Sequence, residues 1–171
     1  GFNPKSKKVV ILGAGGAARG IAFSLALEGV SSITIANRSM GRSTKLMSDL
    51  NQEFPDLSDV CSLITDEVSE VVRGADLIVQ ATSMGMLNHP NQFDSPLSFG
   101  NNSIPALAYE LVYNPPETPF MKEAEKVCLA VMSGLHMLVF QGAIAFELWF
   151  GKTAPVDAMM ISAKKSLGIG E

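Results

Sequence analysis

The chain has little cysteine, no long uninterrupted apolar run, no basic cluster, no internal repeat and no low-complexity tract. Each absence excludes a class of protein. Cys61 and Cys128 lack a CxxC spacing and fall in or beside buried-strand patterns, so they read as reduced core thiols, with neither a disulfide nor a metal role. No apolar stretch reaches the length of about 20 residues that a spanning helix needs. A formal net charge of −4 without a positive patch argues against a nucleic-acid partner. Residues 1–8 lack the apolar core of a signal peptide, which makes a cytosolic protein the expectation. What is present is ample apolar material. With 47% hydrophobic residues among 171, the chain is expected to fold as one domain around a sizeable core.

The most informative stretch is residues 7–20, an apolar run that breaks into glycines and then into a helical pattern. It predicts strand, phosphate loop and helix. Gly13 suits the tight turn out of the strand, Gly15 allows backbone to approach a pyrophosphate, and the small Ala18 stands where helix and strand must pack. The helix opening across Gly15, Gly16 and Ala17, beyond Gly13 and Ala14, points unpaired N–H groups at an anion. The bland alternative is a plain βα turn. The preceding run 9–12 and the following helix, ending at Gly29, favour dinucleotide binding.

A second strand at 32–36 delivers the chain to Asn37, Arg38 and Ser39, where such a unit meets the adenosine ribose. An NAD-selective site usually has Asp or Glu here, which accepts hydrogen bonds from the ribose 2′-hydroxyl and repels a 2′-phosphate. No acid appears. Arg38 can stack on adenine or pair with phosphate, Ser39 can donate a hydroxyl, and Arg42 follows one helical turn later. Two solvated arginines are the alternative, and NADP is the expectation.

A helix is expected at 41–52, strands at 59–64 and 76–80, and a short helix at 67–72 between them. The fourth strand ends in Ala81, Thr82, Ser83 and Met84, at the carboxyl edge where open α/β sheets bind ligands, so this loop is expected to touch cofactor ribose or nicotinamide. Residues 89–102 read as a loop, with His89 solvated. A strand at 106–112 leads to Thr118 as N-cap and Pro119 as first residue of a helix reaching Lys126. A last strand at 127–132, a largely apolar helix at 135–150 and an amphipathic helix at 155–167 complete the chain. The alternation predicts an α/β protein with a doubly wound parallel sheet of about six strands and helices on both faces.

Four separated motifs together resemble the C-terminal, NADP-binding Rossmann half of the shikimate dehydrogenases, within the shikimate/quinate dehydrogenase family. They are residues 13–19, then Asn37, Arg38 and Ser39 with Arg42, then residues 81–86, and finally residues 109–119 together with 133–141. The last is the most specific, because a generic dinucleotide domain has no reason to carry Gly134-Leu135-His136-Met137-Leu138 followed by Gln141. The resemblance implies oxidation of shikimate to 3-dehydroshikimate, or the reverse in biosynthesis, with NADP. It assigns residues 13–17 to pyrophosphate and residues 37–42 to the 2′-phosphate. Leu111 and Gly134 would meet nicotinamide through backbone, with Met137 beside them, and Tyr113 and Gln141 would reach the substrate.

The departures from the family pattern are informative. The family's proton-transfer lysine and aspartate belong to an N-terminal substrate domain that this sequence does not contain, so turnover by the chain alone is not expected. His136 stands where many members have Gly, and Ser39 where many have Thr. Three readings compete: the cofactor half of a shikimate dehydrogenase, a free-standing nucleotide-binding module, and a relative acting on quinate with NAD or NADP. In the first, the apolar final helices would pack on the missing domain, and in its absence they would favour a homodimer.

Overall fold

The computed structural model describes residues 1–100 and 104–170. Its element order is β1 (Lys8–Leu12), α1 (Gly16–Leu27), β2 (Ser32–Asn37), α2 (Met40–Glu53), β3 (Ser58–Ser62), α3 (Glu67–Arg73), β4 (Leu77–Gln80), β5 (Ile104–Glu110), α4 (Pro119–Ala124), β6 (Cys128–Met132), α5 (Leu135–Phe150) and α6 (Val156–Ser166). The strands form one sheet in the order β3-β2-β1-β4-β5-β6, every pair parallel. This is the Rossmann-type arrangement expected from the alternating pattern.

Strand periodicity builds two cores. Successive side chains of a strand point to opposite faces. Val9 and Ile11 therefore join Val79 and the Ala18, Ala22 and Ala26 edge of α1 on one face. Val10 and Leu12 join Ile78, Val72, Phe120 and Ala124 on the other. The three alanines recur at intervals of four, and their small size lets α1 lie close on the sheet.

Helix α5 occupies the expected span, and α4 begins as expected, with the Thr118 hydroxyl accepting from Met121 N–H and Pro119 in the first turn. Other boundaries move. β3 ends two residues early, at Ser62, where its pairing with Asn37 of β2 stops. β5 starts at Ile104 and ends at Glu110, because its register shifts between Ile104 and Leu107 around Pro105, and the chain leaves the ladder once Gln80 has paired with Glu110. α4 stops at Ala124, short of Lys126. Part of the loop expected at 89–102 lies outside the described residues.

At the carboxyl ends of β4 and β5, two fully buried polar side chains, Gln80 and Glu110, stand at partner positions. Gln80 Oε1 accepts from Thr82 N–H at 2.6 Å, and its amide donates to the Met84 carbonyl at 3.0 Å. The Glu110 carboxylate accepts from Val112 N–H at 2.9 Å and from the Thr118 hydroxyl at 2.7 Å. Each side chain thus folds back to hold the loop that leaves its own strand. Burial pushes the Glu110 carboxyl up to about 7, against the opposing pull of these hydrogen bonds.

A raised folded value has a defined sign. The unfolded carboxyl titrates near its ordinary 4.5, so Glu110 favours the fold most below that pH and loses its contribution as pH rises through about 7. The difference is on the order of 3 kcal/mol. Glu110→Gln, which keeps an acceptor and the shape, is expected to reduce the stability loss between pH 5 and pH 8 seen in denaturant unfolding. Identical slopes in the two proteins would show that this carboxyl does not govern it.

Candidate functional site

The order of the sheet reverses between β1 and β4, and a cleft of about 700 Å³ opens at their carboxyl ends. Its floor is a continuation of the ladder. Gly13 N–H donates to the Ala36 carbonyl at 2.8 Å, and Ala81 N–H to the Leu12 carbonyl at 2.9 Å. Gly13 has φ +110°, and a Cβ there would meet the Ala81 backbone and the Thr82 methyl at 3.1 Å. Both the turn and the close approach therefore require glycine.

Beyond the turn, Ala14, Gly15, Gly16 and Ala17 line the cleft where α1 begins. Gly15 is the N-cap and supplies no side-chain bond, so the first-turn N–H groups remain available to a ligand. A Cβ on Gly15 would meet no atom within 4 Å, so the space in front of it is open.

The wall past β2 is Asn37, Arg38 and Arg42, with Leu63 behind them. Asn37 donates to the Ser39 carbonyl at 2.8 Å and so shapes the entry to α2. Neither Arg38 nor Arg42 forms an ion pair among the described residues. Arg19, by contrast, is bound to Asp49 and stacked on Phe23, outside the cleft lining. Among the described residues no Asp, Glu or Lys lines the cleft, and the charges that do are two guanidinium groups beside a helix N-terminus.

The opposite wall comes from the exits of β4 and β5. Ala81, Thr82, Ser83 and Met84 line it, as do Leu111, Tyr113 and, from the first turn of α5, Met137. Tyr113 is 41% exposed and sits beside the cis Asn114–Pro115 peptide. Gly134 lies behind this wall: a Cβ there would come within 2.3 Å of the Leu111 carbonyl oxygen, so its hydrogen side chain permits the approach of α5 to Leu111.

Three expected residues stand outside the cleft lining. Ser39 is the exposed N-cap of α2, Gly134 is buried behind Leu111, and Gln141 is exposed one helical turn beyond Met137. His136 is exposed and also outside it.

His89, expected to be solvated, is instead half-buried in the cleft wall, bonded to Ser83 and to the Asn91 backbone. It folds inward because the loop after Gly85 turns back on itself, Gly85 N–H donating to the Asn91 carbonyl at 3.1 Å. Leu63 and Leu87 are further lining residues outside the motifs, and Met86 and Val112 lie within them without being assigned a role. Their only sequence signal is proximity to a strand's carboxyl end. Burial pushes the thiols of Cys61 and Cys128 up to about 11, with Glu67 and Asp59 adding to the effect at Cys61, so both stay protonated at neutral pH.

Comparison with known proteins agrees with this geometry. Shikimate dehydrogenase (NADP(+)) of Methanopyrus kandleri is 45% identical over 159 residues, covering 92% of this chain and 54% of that protein. A solved shikimate dehydrogenase in complex with NADP+ superimposes with a TM-score of 0.84 at 32% identity, over 95% of this chain and 55% of the other. Shikimate 5-dehydrogenase from Listeria monocytogenes, in complex with shikimate and NAD, gives a TM-score of 0.83 at 28% identity, over 93% and 56%. The chain therefore spans about half the length of the curated relatives it matches. A family model for the shikimate 5′-dehydrogenase C-terminal domain matches residues 134–160. With the model for shikimate / quinate 5-dehydrogenase matching residues 2–89, just over half of the chain, this protein belongs to the shikimate/quinate 5-dehydrogenase family.

Proposed function

We propose that this chain is the NADP-binding half of a shikimate dehydrogenase, interconverting shikimate and 3-dehydroshikimate when joined to a substrate domain. One observation carries the reading. Among the described residues, one cleft combines an uncapped helix N-terminus behind a glycine turn with two arginines in no ion pair and no carboxylate past β2. That donor set suits a dinucleotide bearing a 2′-phosphate. A carboxylate at the same place would repel it.

The N–H groups at Gly15, Gly16 and Ala17 hold the pyrophosphate, in the space that Gly15 leaves open. Arg38 and Arg42 hold the 2′-phosphate, with Asn37 shaping their loop and Ser39 starting the helix that carries Arg42. Ala81, Thr82, Ser83 and Met84 flank the ribose, and Leu111 and Met137 flank the nicotinamide, with Gly134 setting how closely α5 approaches. Bound NADP accepts or supplies the hydride. Tyr113 offers a phenol to a polyol at the open edge, and Gln141, outside the cleft, reaches shikimate only in a substrate site completed by another domain.

Proton exchange with the alcohol needs an acid–base group, and among the described residues no Lys or Asp lines this cleft. The family's lysine and aspartate would come from the substrate domain. The exposed stripe Phe140, Ile144 and Leu148, at 52%, 61% and 78% exposure and continued by Trp149, is the surface on which that domain would pack. Left uncovered, the same stripe favours self-association into a homodimer. Two free thiols suit a reducing cytosol. Quinate is the second reading, favoured by the family's description, and its selection would lie in the substrate domain.

Calorimetric titration with NADP and with NAD tests the assignment. Arg38→Ala removes a charge-assisted bond of about 1.5–3 kcal/mol, so NADP affinity is expected to fall about tenfold to a hundredfold, with little change for NAD. Equal losses for the two cofactors would remove the phosphate role. Gly15→Val builds into the space where a Cβ meets no atom within 4 Å, so the melting temperature should hold while both cofactors fail to bind. Binding that survives this substitution would overturn the pyrophosphate assignment.

A further inference from the structure

The loop after β4 carries a histidine that the cofactor fingerprint does not call for. His89 Nε2 lies 3.0 Å from Ser83 Oγ, and its Nδ1 accepts a hydrogen bond from the Asn91 backbone N–H at 3.1 Å. The second contact decides the first. A ring nitrogen that accepts from an amide carries no proton, so the single proton of the neutral imidazole is on Nε2. Nε2–H then donates to Ser83 Oγ, and the serine's own hydrogen is left for a further acceptor. Both residues line the cleft.

The ring does not depend on Ser83 for its place. Its loop is braced by His89 N–H to the Met86 carbonyl at 3.1 Å, Gln92 N–H to the His89 carbonyl at 3.0 Å and Leu87 N–H to the Asn114 carbonyl at 2.9 Å. The imidazole is thus presented to Ser83 by backbone bonds that join the exits of β4 and β5.

We propose that His89 is a positioning residue that holds Ser83 as a hydrogen-bond donor toward the nicotinamide-ribose half of NADP. This rests on the reading of the cleft as an NADP site. The sheet order selects the half. Arg38 and Arg42 stand past β2, and β4 lies on the other side of β1. A dinucleotide with its 2′-phosphate on the arginines carries its other half past Ser83, and the ribose hydroxyls and phosphate oxygens of that half are acceptors.

The test is calorimetry on this chain with two ligands, NADP and adenosine 2′,5′-bisphosphate, the latter lacking the nicotinamide half. His89→Phe is expected to weaken NADP about five- to tenfold, the range of one hydrogen bond, and to leave the bisphosphate unchanged. His89→Gln, which offers an amide N–H to Ser83 and a carbonyl to Asn91, should restore most of the loss. On a Ser83→Ala background the phenylalanine should cost nothing more.

Wild-type NADP affinity in His89→Phe would overturn the proposal, as would losses that add to those of Ser83→Ala. Ser83→Ala removes only an exposed hydroxyl, so it keeps the test decisive if the larger substitution disturbs the loop. It must show the same selective loss for NADP, and equal weakening of both ligands counts against the proposal. A wild-type chain that binds the bisphosphate and NADP equally overturns the role of Ser83 alone. One that binds neither overturns the NADP reading together with it.

Discussion

The pairing of β1 with β2 on one side and β4 on the other is the constraint on which the molecule depends. A parallel strand cannot return through a short turn, so each neighbour of β1 is reached by a crossover. α1 leads to β2, and the chain returns to β4 only after α2, β3 and α3. Because crossovers share one hand, those leading away from β1 in opposite directions cover opposite faces of the sheet. The carboxyl end of β1 is left uncovered between them, and the cleft forms there.

Close packing at that edge rests on absent side chains as much as on present ones. Gly13 turns within van der Waals reach of Ala81, and Gly134 lets α5 press against the Leu111 carbonyl. The loops brought together in this way would be loose if held by apolar contact alone. Gln80 and Glu110 hold them by hydrogen bonds from inside the sheet, where water does not compete for the donors and acceptors. The cost is a buried carboxyl whose charge the interior disfavours, and it sits under the wall that carries Leu111 and Tyr113.

Charge is distributed to match. A chain of formal net charge −4 presents a cleft with no acidic side chain among the described residues, while Arg19 is neutralised by Asp49 outside the lining. Among the described residues, the arginines at the end of β2 stay out of any ion pair beside the helix N-terminus. The last two helices have a different character, since the exposed stripe of α5 is apolar and α6 has no buried residue. One surface is arranged for an anionic cofactor and the other for apolar contact.

Local chemistry was legible in the residues themselves. Continuous apolar runs yield strands with two buried faces, Thr118 and Pro119 start α4, and a glycine run after β1 makes a loop and an uncapped helix. These depend on neighbours a few positions apart, and the strand order then gathers most candidate site residues, from Gly13 to Met137, in one cleft. Tertiary structure alone decided the order of strands, the early end of β5, the inward turn of His89 onto Ser83, and the placement of Ser39 and Gln141 outside the cleft. Each of those depends on contacts between segments distant in sequence, such as Gln80 with Glu110 and Leu87 with Asn114, and no local pattern encodes them.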